Sequence, residues 1–203
     1  DDLGDVSAEI YASHGLIYEL EGKYDEAIEH LNTSIEQNPN YASSHHWLAT
    51  RYTHDADYDK AIESISKAIT LDPKSPIIHY AAAGIYQRAN KLEESIKLFN
   101  ETSELSTAFQ GCEIRIGNIL ELQYKWKDAE LLYKNIQKLE NDNVDDQYHL
   151  DLLHDMFYFY FITNQHKMLN GLIKGISIIK KATKSNAIIK KSNNYLGNMY
   201  KLI

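Results

Sequence analysis

Apolar and polar positions along this chain alternate with the period of an α-helix, interrupted at regular points. Tyr11, Gly15 and Tyr18 recur at helical spacing, and Gly22 then breaks the pattern. Tyr24, Ala27, Ile28, Leu31 and Ile35 resume it on one face. Asn38-Pro39 ends the block, because proline drives the residue before it out of the helical region and cannot continue a helix itself. The pattern predicts two helices joined by a tight turn. Residues 1–7 (DDLGDVS) read as a polar lead-in, with Asp5 or Ser7 as a helix N-cap.

The same block then returns. Tyr18, Tyr52 and Tyr86 lie 34 residues apart, and Gly15/Ala49, Ala27/Ala61 and Pro39/Pro73 keep that interval. It persists more weakly at Ala83/Gly117 and Ser95/Ala129. A fixed period of this length marks a stacked helical array, in which each unit buries its apolar face only against its neighbours. The expected fold is therefore all-α, a solenoid of antiparallel helix pairs. Small residues at positions 15 and 27 let the two helices of a pair approach closely, with tyrosines filling the space beside them.

The units are expected at 8–41, 42–75, 76–109 and 110–143. A degenerate fifth pair follows over 144–182, with its turn near Thr163 to His166, and a terminal or capping helix over 183–203. The third unit lacks a closing proline, and the fourth ends in the polar turn Asn141-Asp142-Asn143.

Tyr11-x-x-His14-Gly15-x-x-Tyr18, followed by Ala27, Leu31 and Pro39, resembles the tetratricopeptide repeat (TPR), with its Trp-x-x-Leu-Gly-x-x-Tyr opening and later Ala, Phe and Pro. Leu48-Ala49-x-x-Tyr52, Tyr58, Ala61, Ile65, Ala68 and Pro73 repeat the match. The third unit offers Ala82-Ala83-x-x-Tyr86, Leu92, Ser95 and Phe99, and the fourth Ile116-Gly117, Leu120, Trp126, Ala129 and Tyr133. In the fifth, Phe157 stands where the family has a small residue, so tight packing is not expected there. Leu196-Gly197-x-x-Tyr200 opens a further repeat without a second half.

The resemblance implies a right-handed superhelix whose concave groove, lined by the first helix of each unit, holds a peptide or a partner helix. The implied function is a protein-binding scaffold or adaptor that acts in complex assembly or regulation. The partner-binding residues it implies are His46, Trp47, Thr50, His54, Tyr80, Gly84, Arg88, Arg115, Asn118, His154, Asp155 and Tyr158. Ala12, Ser13, Leu16, Ser43, Ile77, Ala81, Ile114 and Asp151 fall on the same side. Trp47 has two readings, a groove anchor or a filler of the seam between units.

One subfamily clamps the C-terminal carboxylate of heat-shock chaperones with Lys, Asn and Arg. Here Ala12, Leu16, Trp47, Ile77 and Ala81 stand at such places, and these supply no donors for a carboxylate. A chaperone clamp is therefore not expected.

Composition narrows the partner further. The net charge is −8, yet residues 163–203 carry eight lysines and no acid, which leaves −16 on the remainder. An acidic body argues against nucleic acid. The basic end reads as a solvated helix face, or as a surface for an acidic partner, an anionic surface or a second copy in a head-to-tail homo-oligomer. Met156 to Ile162 is the longest apolar run, too short to span a membrane.

Cys112 is the only cysteine, expected in the core, so no internal disulfide ties the chain to an oxidising compartment and a cytoplasmic setting is favoured. Asp151, His154 and Asp155 share a helix face at a spacing able to hold a metal, but no further ligand is identifiable, and a solvated acidic face is the expectation. No cofactor, phosphate loop or catalytic constellation is legible. The start at Asp1 and the half repeat at the other end also fit the regulatory part of a larger enzyme or transcriptional sensor.

Overall fold

The computed structural model describes residues 2–107, 109, 111–139, 146–162, 172–173, 176–177, 180 and 186–202. Among them the regular structure is entirely helical. The helices are α1 (Asp2–Leu20), α2 (Tyr24–Gln37), α3 (Ala42–His54), α4 (Tyr58–Leu71), α5 (Pro76–Arg88), α6 (Leu92–Leu105), α7 (Cys112–Leu122), α8 (Trp126–Leu139), α9 (Asp146–Ile162) and α10 (Asn186–Leu202). The turns expected at Asn141-Asp142-Asn143 and at Thr163 to His166 lie outside the described residues, as do the boundaries at 143/144 and 182/183. Helix α1 begins at Asp2 and absorbs the expected polar lead-in, so Asp5 and Ser7 lie inside the helix instead of capping it.

The turns within the first four pairs share one device. Gly22, Ala56, Asn90 and Tyr124 all take left-handed backbone, with φ of 75°, 59°, 59° and 58°. These positions are 34 residues apart. At each, the following amide reaches back to a carbonyl of the helix: Lys23 to Tyr18, Asp57 to Tyr52, Lys91 to Tyr86 and Lys125 to Leu120, all at 2.8–2.9 Å. This is the Schellman termination, which satisfies carbonyls that the helix end would leave bare. The repeat thus extends to backbone conformation, at two positions whose side chains give no hint of it.

The other helix ends follow the proline logic. Asn38 and Asp72 leave the helix at φ −138° and −133°, each just before a proline. Ser75 caps α5 through its side chain, with Pro76 in the first turn, and Asp57 caps α4.

The chain forms two compact units, Asp1–Cys112 and Glu113–Ile203. In the first, α1/α2, α3/α4 and α5/α6 are tight antiparallel pairs, and α2 packs on α3 as α4 does on α5. Buried Ala49, Ala61, Ile65, Ala68, Ile78, Ala82 and Ile85 form one core, and Ala12, Leu31 and Leu48 another. Gly15 permits the approach of α2: a Cβ there would lie 2.8 Å from Leu31 Cγ. At position 95 a serine replaces the alanine of units 1 and 2, and its buried hydroxyl donates to the Ala83 carbonyl at 2.7 Å.

The second unit has an aromatic core. Tyr133, Phe157, Phe159 and Tyr160 are fully buried with Leu152, Met156, Leu172, Ile173, Ile176 and Met199. Phe157 is thus packed, contrary to the sequence expectation: α9 answers the missing small residue by surrounding the ring with long side chains. Gly117 is the site of closest approach, where a Cβ would fall 2.4 Å from the Tyr133 ring.

Candidate functional site

Within the first unit the first helices form one layer. Helix α1 touches α3 and α3 touches α5, in addition to the contacts that each makes with second helices. On the open side of this layer, two rows of equivalent positions are alike in burial. Leu16, Thr50 and Gly84 are half-buried and form a floor. Leu20, His54 and Arg88 are exposed and form an edge. The side chains of the floor shrink along the layer, and a Cβ at Gly84 would meet nothing within 4 Å. The Thr50 hydroxyl donates to the His46 carbonyl at 3.1 Å.

The remaining sequence-predicted residues of this unit are placed differently from one another. Trp47 is half-buried against Ala12, Leu31 and Leu48, in the seam between the first two pairs. Tyr80 is folded onto α6 and the turn after it, with ring centroids 5.5 Å from Phe99 and 5.4 Å from Phe109. Neither presents an open aromatic platform. Ala12 is fully buried and Ala81 packs on the core. His46 is half-buried, and burial holds its pKa below the ordinary histidine value.

His54 is held by Glu19, with Nδ1 3.1 Å from Oε1. The same carboxylate accepts from Arg51 at 2.8 and 3.1 Å. Arg51 also pairs with Asp55 and lies 4.1 Å from the Tyr24 ring centre. Sequence reasoning passed over Arg51, which is only 5% exposed. Its signal was chemical: a lone arginine at a position that the next repeat fills with Ile85.

In the second unit the predicted residues form a connected polar line. The Tyr133 hydroxyl donates to Glu121 at 2.8 Å and lies 3.1 Å from Asn118 Oδ1, while Asn118 Nδ2 donates to Asp155 at 3.3 Å. Burial pushes the Glu121 carboxyl up. His154 is stacked on Tyr195 of α10 with centroids 3.7 Å apart, and meets the Tyr158 ring edge-on at 4.8 Å.

Asp151 accepts from the Tyr195 hydroxyl at 2.8 Å and from Lys191 at 3.0 Å. Asp151 is therefore paired with α10 and Asp155 with Asn118, instead of both being left to solvent. Arg115 is exposed and Ile114 is buried. Among the described residues no group of three or more His, Cys, Asp or Glu could hold a metal, and no helix is long and apolar enough to cross a membrane.

Comparison with known proteins places these helix pairs. The family model described as "Anaphase-promoting complex, cyclosome, subunit 3" matches residues 20–102. No curated protein sequence matches the chain. Among solved structures, PilF of Pseudomonas aeruginosa is 15% identical, with 97% of this chain and 90% of that one covered and a TM-score of 0.69. A crystal structure of MamA is 16% identical over 96% and 94%, with a TM-score of 0.64.

The first TPR of Spaghetti (RPAP3), bound to the HSP90 peptide SRMEEVD, is 20% identical, covering 59% of this chain and 95% of that one at a TM-score of 0.56. The repeat period, the paired helices and these likenesses agree: the chain has the helical-repeat fold of tetratricopeptide-repeat structures.

Proposed function

We propose that the protein is an interaction module that holds an extended peptide or a helix of a partner protein on the first-helix layer of its first unit. The observation that carries this reading is the row of Leu16, Thr50 and Gly84, half-buried and shrinking to a backbone with open space above it. A preformed floor of this kind is occupied without ordering the protein, so less of the contact energy is lost on binding. Side chains of modest apolar size fit over Thr50 and Gly84. Arg88, exposed at the edge, suits an acidic residue of the partner.

The ligand is not a C-terminal carboxylate, because Ala12, Leu16, Trp47, Ile77 and Ala81 supply no charged or amide donor to desolvate it. A structural neighbour, the first TPR of Spaghetti (RPAP3), is bound to an HSP90 peptide, which supports a peptide-binding reading, and the chemistry of this floor suits a different peptide.

The test is affinity capture from native extract with wild type and with a Gly84→Gln/Arg88→Ala variant, both checked for folding by circular dichroism. Both substitutions point into solvent, so the fold is preserved. A small set of proteins captured by wild type and lost by the variant is expected. Capture unchanged in the variant overturns the groove.

A further inference from the structure

The second unit holds an open pocket of its own, which the floor of the first unit does not involve. It is lined by Asn118, Glu121 and Leu122 of α7, Tyr124 of the turn and Trp126 at the start of α8, around a volume of about 410 Å³. That volume suits a small ligand or a single side chain.

The turn builds an aromatic wall that its own geometry does not ask for. Tyr124 takes left-handed backbone at φ 58°, where the earlier turns have Gly22, Ala56 and Asn90. A bulky residue is disfavoured in that region, and at 78% exposure the ring gains little from folding. It stands edge-on to Trp126 with centroids 5.8 Å apart, and Trp126 is anchored against the core of the unit.

The polar wall is short of protons. Asn118 Nδ2 donates to Asp155 at 3.3 Å, which fixes the amide with Oδ1 3.1 Å from the Tyr133 hydroxyl. That hydroxyl has one proton, and Glu121 Oε1 at 2.8 Å is the closer and charged acceptor. Asn118 Oδ1 and Glu121 Oε2 are thereby left as acceptors without a donor among the described residues. Glu121 pairs with no lysine or arginine among them. Burial raises its pKa and the Asp155 carboxylate adds to this, so its charge is held at a cost that a cation would offset.

The fitting occupant is a cation with several donors and a flat face. An ammonium is a compact, strongly hydrated charge. A guanidinium carries five N–H donors in one plane, is more weakly hydrated and stacks on aromatic rings. Leu122 and Tyr124, 62% and 78% exposed at the rim, offer apolar contact to the chain that carries it. We infer that the pocket of Asn118, Glu121, Tyr124 and Trp126 binds the guanidinium of an arginine side chain from a partner peptide.

The probe is a short glycine-flanked peptide with one arginine, titrated into the whole chain and followed by NMR at the Trp126 indole N–H and the amides of residues 118–126. Matched peptides carry lysine, or citrulline, which keeps the shape and loses the charge. Methylguanidinium serves as the free small cation. The arginine peptide is expected to shift these signals and to bind about tenfold more tightly than the citrulline peptide.

Glu121→Gln keeps an acceptor for Tyr133 and is expected to weaken binding about tenfold. Tyr124→Asn keeps a residue suited to the left-handed turn and is expected to weaken it about threefold. Glu63→Gln removes one exposed charge from α4 and is expected to change nothing. No shift with the arginine peptide, or equal binding of the citrulline or lysine peptide, overturns the inference. So does methylguanidinium binding as tightly as the peptide, since the site would then belong to a free small cation. Unchanged affinity in both Glu121→Gln and Tyr124→Asn, or equal weakening by Glu63→Gln, overturns it as well.

Discussion

The two units solve one packing problem with opposite materials. In the first, Gly15 admits Leu31, and the pairs are zipped by alanines and branched aliphatics. In the second, Gly117 admits a whole tyrosine ring, and α9 builds its core from phenylalanine and tyrosine. The polar ties between first helices differ as well. In the first unit Arg51 joins α3 to Glu19 of α1, and in the second Lys191 and Tyr195 of α10 converge on Asp151 of α9. The lesson is that the repeat specifies distances between helices, and that any side-chain set filling those distances satisfies it.

The contrast is broken most strongly in the second unit. Phe157→Ala is expected to cost about 3–5 kcal/mol, because the fully buried ring leaves a cavity among long side chains that cannot collapse fully. Denaturant unfolding followed at Trp126, in a Trp47→Phe background, reads this unit. Next comes Gly117→Ala, which drives a methyl into the buried Tyr133 ring and is expected to cost about 1–3 kcal/mol by the same readout. A Gly117→Ala protein as stable as wild type would show that the close approach is not what sets the spacing.

In the first unit Arg51→Met is expected to cost about 1–3 kcal/mol, read at Trp47 in a Trp126→Phe background. It removes charge-assisted bonds and leaves the partly buried Glu19 with His54 alone. Two substitutions sharpen the comparison by stabilising. Ala56→Gly relieves a left-handed alanine and is expected to add about 1 kcal/mol. Gly84→Ala extends helix-forming backbone into open space and is expected to add about 0.5–1 kcal/mol.

The smallest effect concerns His46. Burial lowers its pKa in the folded chain, so the unfolded chain takes up the proton more readily. The contribution of neutral His46 is present above its ordinary value of 6.5 and is lost as pH falls through and below it. The stability of wild type relative to His46→Gln is therefore expected to decline between neutral and mildly acidic pH.

The fold was legible because tyrosine, alanine, glycine and proline each mark a geometric requirement: a filler, a close approach, a turn and a stop. What escaped were features set by backbone and by cross-helix pairing. Ala56 and Tyr124 carry no turn signature, and only their place one repeat after Gly22 and Asn90 explains their left-handed conformation. Phe157 breaks the small-residue pattern, and only its neighbours show why that is tolerated.

Among the candidate binding residues, Trp47 and Tyr80 lie on the side the pattern indicates, yet their rings turn into neighbouring helices. Helical periodicity places a residue on a face but does not say how far a large side chain folds over it.

The account turns on which surface the partner touches. A photo-crosslinking residue placed at Gly84, on the floor, and at Glu63, exposed on α4, tests this in native extract. The account predicts that Gly84 captures a defined protein and Glu63 does not. Capture from Glu63 alone would contradict it and move the interaction to the second-helix side.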